Sequence, residues 1–316
     1  MVVISALMEL ATSQYGVVSR DQAISLGLSK DQLYRLSRGG FWKLAMPGVF
    51  FVEGFPECLE QRLFAGLAWA GPTAVGSHRS AATLLELDVR YDTAEITAAV
   101  RKNNVPDAFV LHRSALGAGD RAGVKGIPLT SATRTLLDLG AVTSRDDLEL
   151  ALEAALRKRL TSIPTLLSKL EETGRGRRGV ASLRHLLEMR GTDVAPTGSP
   201  LETRFAQFAR RHRLPRMTRQ FDIRDGSRFI ARVDFAVPEA RLAIEVLGYR
   251  WHSGRKDWHR DVARLNRLTE MGWRVLFVTK ESLNSPKTLA REIRHALGEA
   301  QLSPDGWKLS FRVASR

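Results

Sequence analysis

The chain has 316 residues, enough for two or three domains at roughly 100–200 residues each. Hydrophobic residues make up 44% of it, which supports packed cores and excludes a disordered chain, and no apolar run approaches the roughly 20 residues that span a bilayer. The formal net charge is +14, and residues 201–316 hold 24 basic and 13 acidic side chains, a net of +11, against +3 for residues 1–200. Such a field makes a polyanion the expected partner, with nucleic acid first. Cys58, the one cysteine, excludes an internal disulfide and a cysteine-rich zinc site. The first residues lack a basic run and a small-residue cleavage site, so the expected setting is the reducing cytoplasm, with no membrane partner.

Three blocks follow in chain order. In the first, Ile4, Leu7, Met8, Leu10 and Ala11 have helical spacing, and Gly16 stops the helix. Ser19-Arg20-Asp21-Gln22 and Ser29-Lys30-Asp31-Gln32 both read as capping boxes, opening helices that end at Gly27 and at Gly39-Gly40. Residues 41–52 read as two short strands around a Pro47-Gly48 turn. Three short helices and a β-hairpin are the pattern of a winged helix-turn-helix. Ser29–Arg38 would be its recognition helix, with Leu33 and Leu36 turned inward. Lys30, Gln32, Tyr34, Arg35 and Arg38 would meet DNA, and Lys43 would act from the wing, since phosphates call for Lys or Arg and base edges for bidentate donors. A solvated basic face on a protein-binding module would look the same.

Helices are expected at 59–70 and 77–87, strands at 95–100 and 109–113, and helices at 132–139, 145–159 and 163–172. His78, His112 and His185 stand isolated in this stretch and read as structural. Residues 174–179, Gly-Arg-Gly-Arg-Arg-Gly, read as a basic connector, and 192–199, with Pro196 and Gly198, as the best domain boundary.

The third block opens with Ser199-Pro200-Leu201-Glu202, a helix start in which Glu202 also suits a capping box. Strands are expected at 221–223, 229–237 and 241–249, with Asp225-Gly226 and Glu239-Ala240 as connections. Placing Pro238 opposite Arg241 pairs Val233 with Val246, Phe235 with Ile244 and Val237 with Leu242 on one apolar face. Asp234 then faces Glu245. Like charges so placed destabilise a sheet, and a divalent cation between them, Mg2+ or Mn2+, would remove the penalty. A basic helix at 256–271 and a strand at 274–278 complete the block. Asp261 there has Arg264 one turn on as a partner, and Trp251, Trp258 and Trp273 read as packing residues.

Ser199-Pro200-Leu201-Glu202, Val233-Asp234-Phe235, the run Ile244 to His252, Arg260-Asp261 and Gly272 to Leu276 resemble the PD-(D/E)XK nuclease superfamily, in the branch similar to very-short-patch-repair endonucleases. The first block resembles the winged helix of abortive-infection type IV antitoxins. Ser77-His78-Arg79-Ser80-Ala81-Ala82, Gly126-Ile127-Pro128 and Arg134 to Leu139 extend that likeness through the middle. The nuclease resemblance implies that Asp234 and Glu245 hold the metal, with Glu202 as a further acid. It implies that His252 serves as general base or leaving-group partner, and that Arg250, Arg255, Lys256 and Arg260 clamp phosphates.

One position departs from that pattern. Two residues after Glu245, where Lys or Asp is usual, stands Leu247. Either His252 or Lys256 substitutes, or Glu202 completes the metal shell, or the fold has lost cleavage and kept DNA binding. The expectation is an α+β / α/β multidomain protein: a winged helix-turn-helix at 1–88, a middle α+β domain at 89–195 and a restriction-endonuclease-like αβββαβ core at 196–316. Its expected activity is Mg2+-dependent (or Mn2+-dependent) DNA endonuclease. The alternatives are a non-catalytic transcriptional regulator and an antitoxin-like module that binds a toxin or a neighbouring repair or defence protein.

Overall fold

A computed structural model describes residues 2–99, 104–173, 176, 178–191, 194–248 and 255–298. Among them are 13 α-helices and three β-sheets, a mixed α+β protein of more than one domain. It divides into two compact units, Met1–Pro196 and Thr197–Arg316. Among the described residues no helix is long and apolar enough to cross a membrane.

The first unit begins with α1 (Val2–Ser13), β1 (Val17–Ser19), α2 (Arg20–Ser25), α3 (Lys30–Arg38), β2 (Trp42–Met46) and β3 (Val49–Val52). Both capping boxes form. Ser19 Oγ accepts from Gln22 N at 3.1 Å and Gln22 Oε1 from Ser19 N at 2.9 Å. The Ser29–Gln32 pair does the same at 3.2 and 2.8 Å. Each box satisfies two amides that the first helical turn cannot. β3 lies between β1 and β2, antiparallel to both. Leu7, Ala11, Val18, Ala23, Leu33, Trp42 and Phe50 close a core between these helices and the sheet.

α4 (Leu59–Ala70) leads into a five-stranded sheet of β4 (Val75–Gly76), β5 (Glu95–Ala98), β6 (Val110–Arg113), β7 (Arg121–Val124) and β8 (Ile127–Thr130), ordered β6-β5-β4-β8-β7. α5 (His78–Leu84) follows β4 directly, and α6 (Ala132–Leu139), α7 (Arg145–Arg157), α8 (Ile163–Thr173) and α9 (Val180–Arg190) complete the unit. One core cluster joins Val17, Met46 and Val49 to Leu63, Ile96, Ile127 and Leu129, so residue 88 does not separate two cores. A second, around Leu136, Leu148, Leu152, Leu166 and Leu183, packs the helices together. Arg134 is fully buried there. Its Nε donates to Asp138 at 3.0 and 3.1 Å, its Nη1 to Asp120 at 2.9 Å and its Nη2 to Ser114 Oγ at 3.0 Å, and Lys169 Nζ reaches Asp120 at 2.7 Å.

The second unit runs α10 (Pro200–Arg211), β9 (Thr218–Asp225), β10 (Arg228–Val237), β11 (Leu242–Val246), α11 (Arg255–Glu270), β12 (Arg274–Val278), α12 (Lys280–Leu283) and α13 (Pro286–Ala296). Its sheet has the order β12-β11-β10-β9, with β11 and β12 parallel and the other pairs antiparallel. One face is covered by Phe205 and Phe208 of α10 and Leu289 and Ile293 of α13, packed on Phe235, Ile244, Val246 and Val278. The other face carries Ala231, Val233, Ala236 and Ala243 beneath Leu268 of α11. Small residues on that face let α11 lie close. Fully burying a side chain such as Phe205 contributes about 1.5–3 kcal/mol.

The expected register holds for Phe235↔Ile244, Ala236↔Ala243 and Val237↔Leu242. It does not extend to Val233 and Val246 as a shared face, because Val246 packs with Phe235 whereas Val233 packs with Ala231 on the opposite side. The alternation therefore breaks at Asp234. The connection between β10 and β11 is a single 3-10 turn, Pro238–Ala240, and Arg241 after it has φ 46°.

Candidate functional site

The break at Asp234 is where the acids gather. Between Val233↔Phe221 and Phe235↔Arg219, Gln220 of β9 takes φ 48°, a left-handed value that costs a non-glycine residue on the order of 1–3 kcal/mol. Asp234 Oδ2 accepts from the Val246 amide at 2.8 Å, so a side chain occupies the place of the next ladder bond of β11. Asp234 Oδ1 accepts from Gln220 Nε2 at 3.3 Å, and the same nitrogen donates to Glu202 Oε2 at 3.0 Å.

Glu202 reaches this point from the first turn of α10. Ser199 caps the helix, with its Oγ accepting from Glu202 N at 3.2 Å, and Pro200 stands at the helix start. The Glu202 carboxylate also accepts from Gly198 N at 2.8 Å, so it caps the helix end and meets Asp234 through Gln220. Burial and the negative charge of Asp234 push its carboxyl above the usual carboxylate range, against the hydrogen bonds from Gly198, Ser199 and Gln220.

Glu245 is partly buried on β11, and Arg264 of α11 donates to it at 3.0 Å. Glu202, Asp234 and Glu245 do not form a three-residue group with ligand atoms all within 4.8 Å of one another. Leu247, half-buried, continues the chain, and its amide bonds to Val278 O at 2.7 Å. Arg250 and His252 lie outside the described residues. Arg255, Lys256 and Arg260 belong to α11, and their side chains, with that of Asp261, also lie outside them.

An all-oxygen pair with excess negative charge is the donor set that a hard divalent cation takes. Glu202 and Asp234 share one neutral donor, Gln220, while burial and the Asp234 charge hold the Glu202 proton more tightly. Glu202 and Asp234 are of the residue type that would hold Mg2+ or Mn2+, and Glu245 stands outside that pair, bonded to Arg264. Sequence reasoning passed over Gln220, because a polar residue in an edge strand carries no signal of its own.

The polar residues expected to meet DNA share one exposed surface character. Lys30, Gln32, Tyr34, Arg35 and Arg38 are all exposed on α3 and Lys43 is exposed on β2, while Leu33 is buried and Leu36 half-buried. Gln32 Oε1 is committed to Ser29 N, and its amide NH2 is the donor end of the side chain. Arg38 Nη1 donates to Tyr34 Oη at 3.4 Å, with its guanidinium 5.8 Å from the ring centre. Phe41 and Leu44, near Lys43 in sequence, are 65% and 57% exposed.

A third cluster brings together His78 and His112, which the sequence reads as isolated and structural. His78, Glu95 and His112 bring one ligand atom each within 4.8 Å of one another. His78 opens α5, immediately after β4, and Glu95 starts β5. His112 lies on β6 opposite Thr97 in the parallel β5–β6 pair. Burial alone would raise the Glu95 carboxyl. Attraction to His112, the hydrogen bond from Arg79 N and the charge of His78 outweigh it and hold the carboxyl low.

No family model matches the chain. Two curated proteins are similar to it: Uncharacterized protein MT2308 of Mycobacterium tuberculosis (strain CDC 1551 / Oshkosh) and Uncharacterized protein Rv2248 of Mycobacterium tuberculosis (strain ATCC 25618 / H37Rv). Each is 30% identical over 181 residues, covering 57% of this chain and 65% of the relative. The chain thus spans just under two thirds of the length of these relatives.

Proposed function

We propose that the chain is a cytoplasmic DNA-binding protein whose C-terminal unit is a metal-dependent endonuclease that nicks or cleaves phosphodiester bonds. In this reading α1–α3 with β1–β3 are a winged helix-turn-helix, α3 is its recognition helix, and β2–β3 is the wing. The α10–β12 order is a restriction-endonuclease-like αβββαβ core. The observation that carries the reading is the meeting of Glu202 and Asp234 through Gln220 where the β10–β11 ladder gives way. An outlying backbone residue and a charge-dense buried pair are features that cluster at functional sites, and paired acids suit the metal-assisted chemistry of phosphoryl transfer. A bound Mg2+ would supply Lewis-acid stabilisation of phosphate charge and an activated water. The chain's own residues hold and orient: Gly198 N fixes Glu202, Val246 N fixes Asp234, and Arg264 fixes Glu245.

A second reading rests on Arg264 and Leu247. The first neutralises Glu245 and the second is apolar where a polar group is usual, which supports a regulator that keeps the fold to hold DNA. Incubating supercoiled plasmid and the full chain with Mg2+ or Mn2+ separates the two. Nicking lost in an Asp234→Asn, Glu245→Gln variant supports the nuclease. DNA shifted in a gel but intact in both supports the regulator.

A further inference from the structure

We propose that His78, Glu95 and His112 form a binding site for one divalent transition-metal ion in the first unit, separate from the acids of the second. The fold converges these residues from three segments. Ser77 N bonds to Glu95 O at 2.9 Å, which ties the start of α5 to β5, and the parallel β5–β6 pair sets His112 beside Thr97. Glu95 is 1% exposed and His78 is 7% exposed, an expensive place for a carboxylate beside imidazoles without a purpose.

The clearest mark is His112 Nε2. It is buried and has no hydrogen-bond partner among the described residues, yet it lies 3.8 Å from Glu95 Oε2. That is too long for a hydrogen bond. It is a suitable separation for two ligands of one ion, at metal–ligand distances of about 2.1 Å each.

The surroundings are those of a held ligand set. His78 Nδ1 lies 2.9 Å from Ser77 Oγ, which accepts from Thr97 Oγ1 at 2.8 Å, and this fixes the ring. Glu95 Oε1 accepts from Arg79 Nη1 at 2.7 Å and Oε2 from Arg79 N at 2.9 Å, which holds the carboxylate with Oε2 facing His112. His78 is kept at φ 49°, a strained value for a residue with a side chain. The two imidazole rings stack with centroids 3.5 Å apart and 16° between planes. The His112 side chain is 24% exposed, so its ring has room to adjust toward an ion shared with His78 and Glu95.

Two imidazoles and one carboxylate favour Zn2+, Co2+ or Ni2+ over Mg2+. Three protein ligands leave an outer position for water, as in metal sites that bind or activate a small ligand.

Titration of the full chain with Co2+ tests the proposal. Visible d–d absorption should rise to saturation at one equivalent and be displaced by Zn2+. His112→Gln, at a partly exposed position, should lose that absorption with its far-ultraviolet circular dichroism unchanged, and Asp234→Asn should keep it. In the wild-type chain the ring protons of His78 and His112 should shift or broaden in NMR as Co2+ is added, a readout that needs no variant to fold. Absence of saturable absorption in the wild type, an unaltered spectrum in His112→Gln, or unmoved His78 and His112 resonances would each overturn the site.

Discussion

Replacing Arg35 and Arg38 together by alanine should halve the salt sensitivity of DNA binding through the first unit. The exposed cations of the proposed interface are Lys30, Arg35 and Arg38 on α3 and Lys43 on β2. If each neutralises one phosphate, log K falls against log salt with a slope of about −3.6, at about 0.9 per phosphate. Removing two leaves about −1.8. Between about 50 and 200 mM salt the wild type then loses about 150-fold in affinity from this surface and the double variant about 12-fold. The second unit, with its +11 charge, adds to both slopes, so the difference of about 1.8 is the quantity to read. Neither arginine is buried, so the fold should be unaffected. Fluorescence anisotropy of a labelled duplex over a salt series gives the slopes directly. Equal slopes for the two proteins would refute α3 as a phosphate-contacting helix.

Two further outcomes follow from the buried ion network. Arg134→Met should destabilise the first unit by about 3–5 kcal/mol in urea unfolding, because it leaves Asp120 and Asp138 buried without their shared cation. Asp120 also sets an acid limit. Burial would raise its carboxyl, but Lys169, the Gly117 amide and Arg134 hold it below its ordinary value of about 3.8. A carboxylate depressed in the folded state contributes stability above its unfolded pKa and loses it as pH falls through the folded one. Stability should therefore decline as pH drops below about 4, and Asp120→Asn should flatten that decline. A steeper decline in the variant would contradict the assignment.

What could be read from the residues was what depends on near neighbours. The two Ser-x-x-Gln boxes, the helices at Leu59–Ala70 and Ala132–Leu139, and the Phe235↔Ile244 register are short-range patterns of capping and alternation, and they appear as expected. β9 is longer than its apolar residues indicate, because an edge strand with Arg219, Gln220, Asp222 and Arg224 carries little hydrophobic signal. Helices α9, α12 and α13 went unmarked.

The alternation at Val233 failed because Asp234 leaves the pleat to take the Val246 amide, an exchange that no periodicity encodes. Gln220 between Glu202 and Asp234 and the His78–Glu95–His112 group share a reason for being missed. Each is assembled by strand order and register. A lone histidine in sequence looks structural until β4, β5 and β6 set it beside a second one. The one available hint was Glu95, an acid inside a strand that is otherwise Ile-Thr-Ala.

The central claim is that the strand break in the second unit is a phosphodiesterase centre. The most direct measurement is the rate of supercoiled-plasmid nicking in Mg2+ by the wild type, Gln220→Ala and Asp234→Asn, each first shown to bind DNA equally. Loss of an orienting partner typically costs about 10–100-fold, and loss of the group it orients should cost at least that much. The account predicts nicking by the wild type, a drop of that order in Gln220→Ala and a larger one in Asp234→Asn. Equal rates for all three proteins, or binding without nicking in any of them, would contradict it.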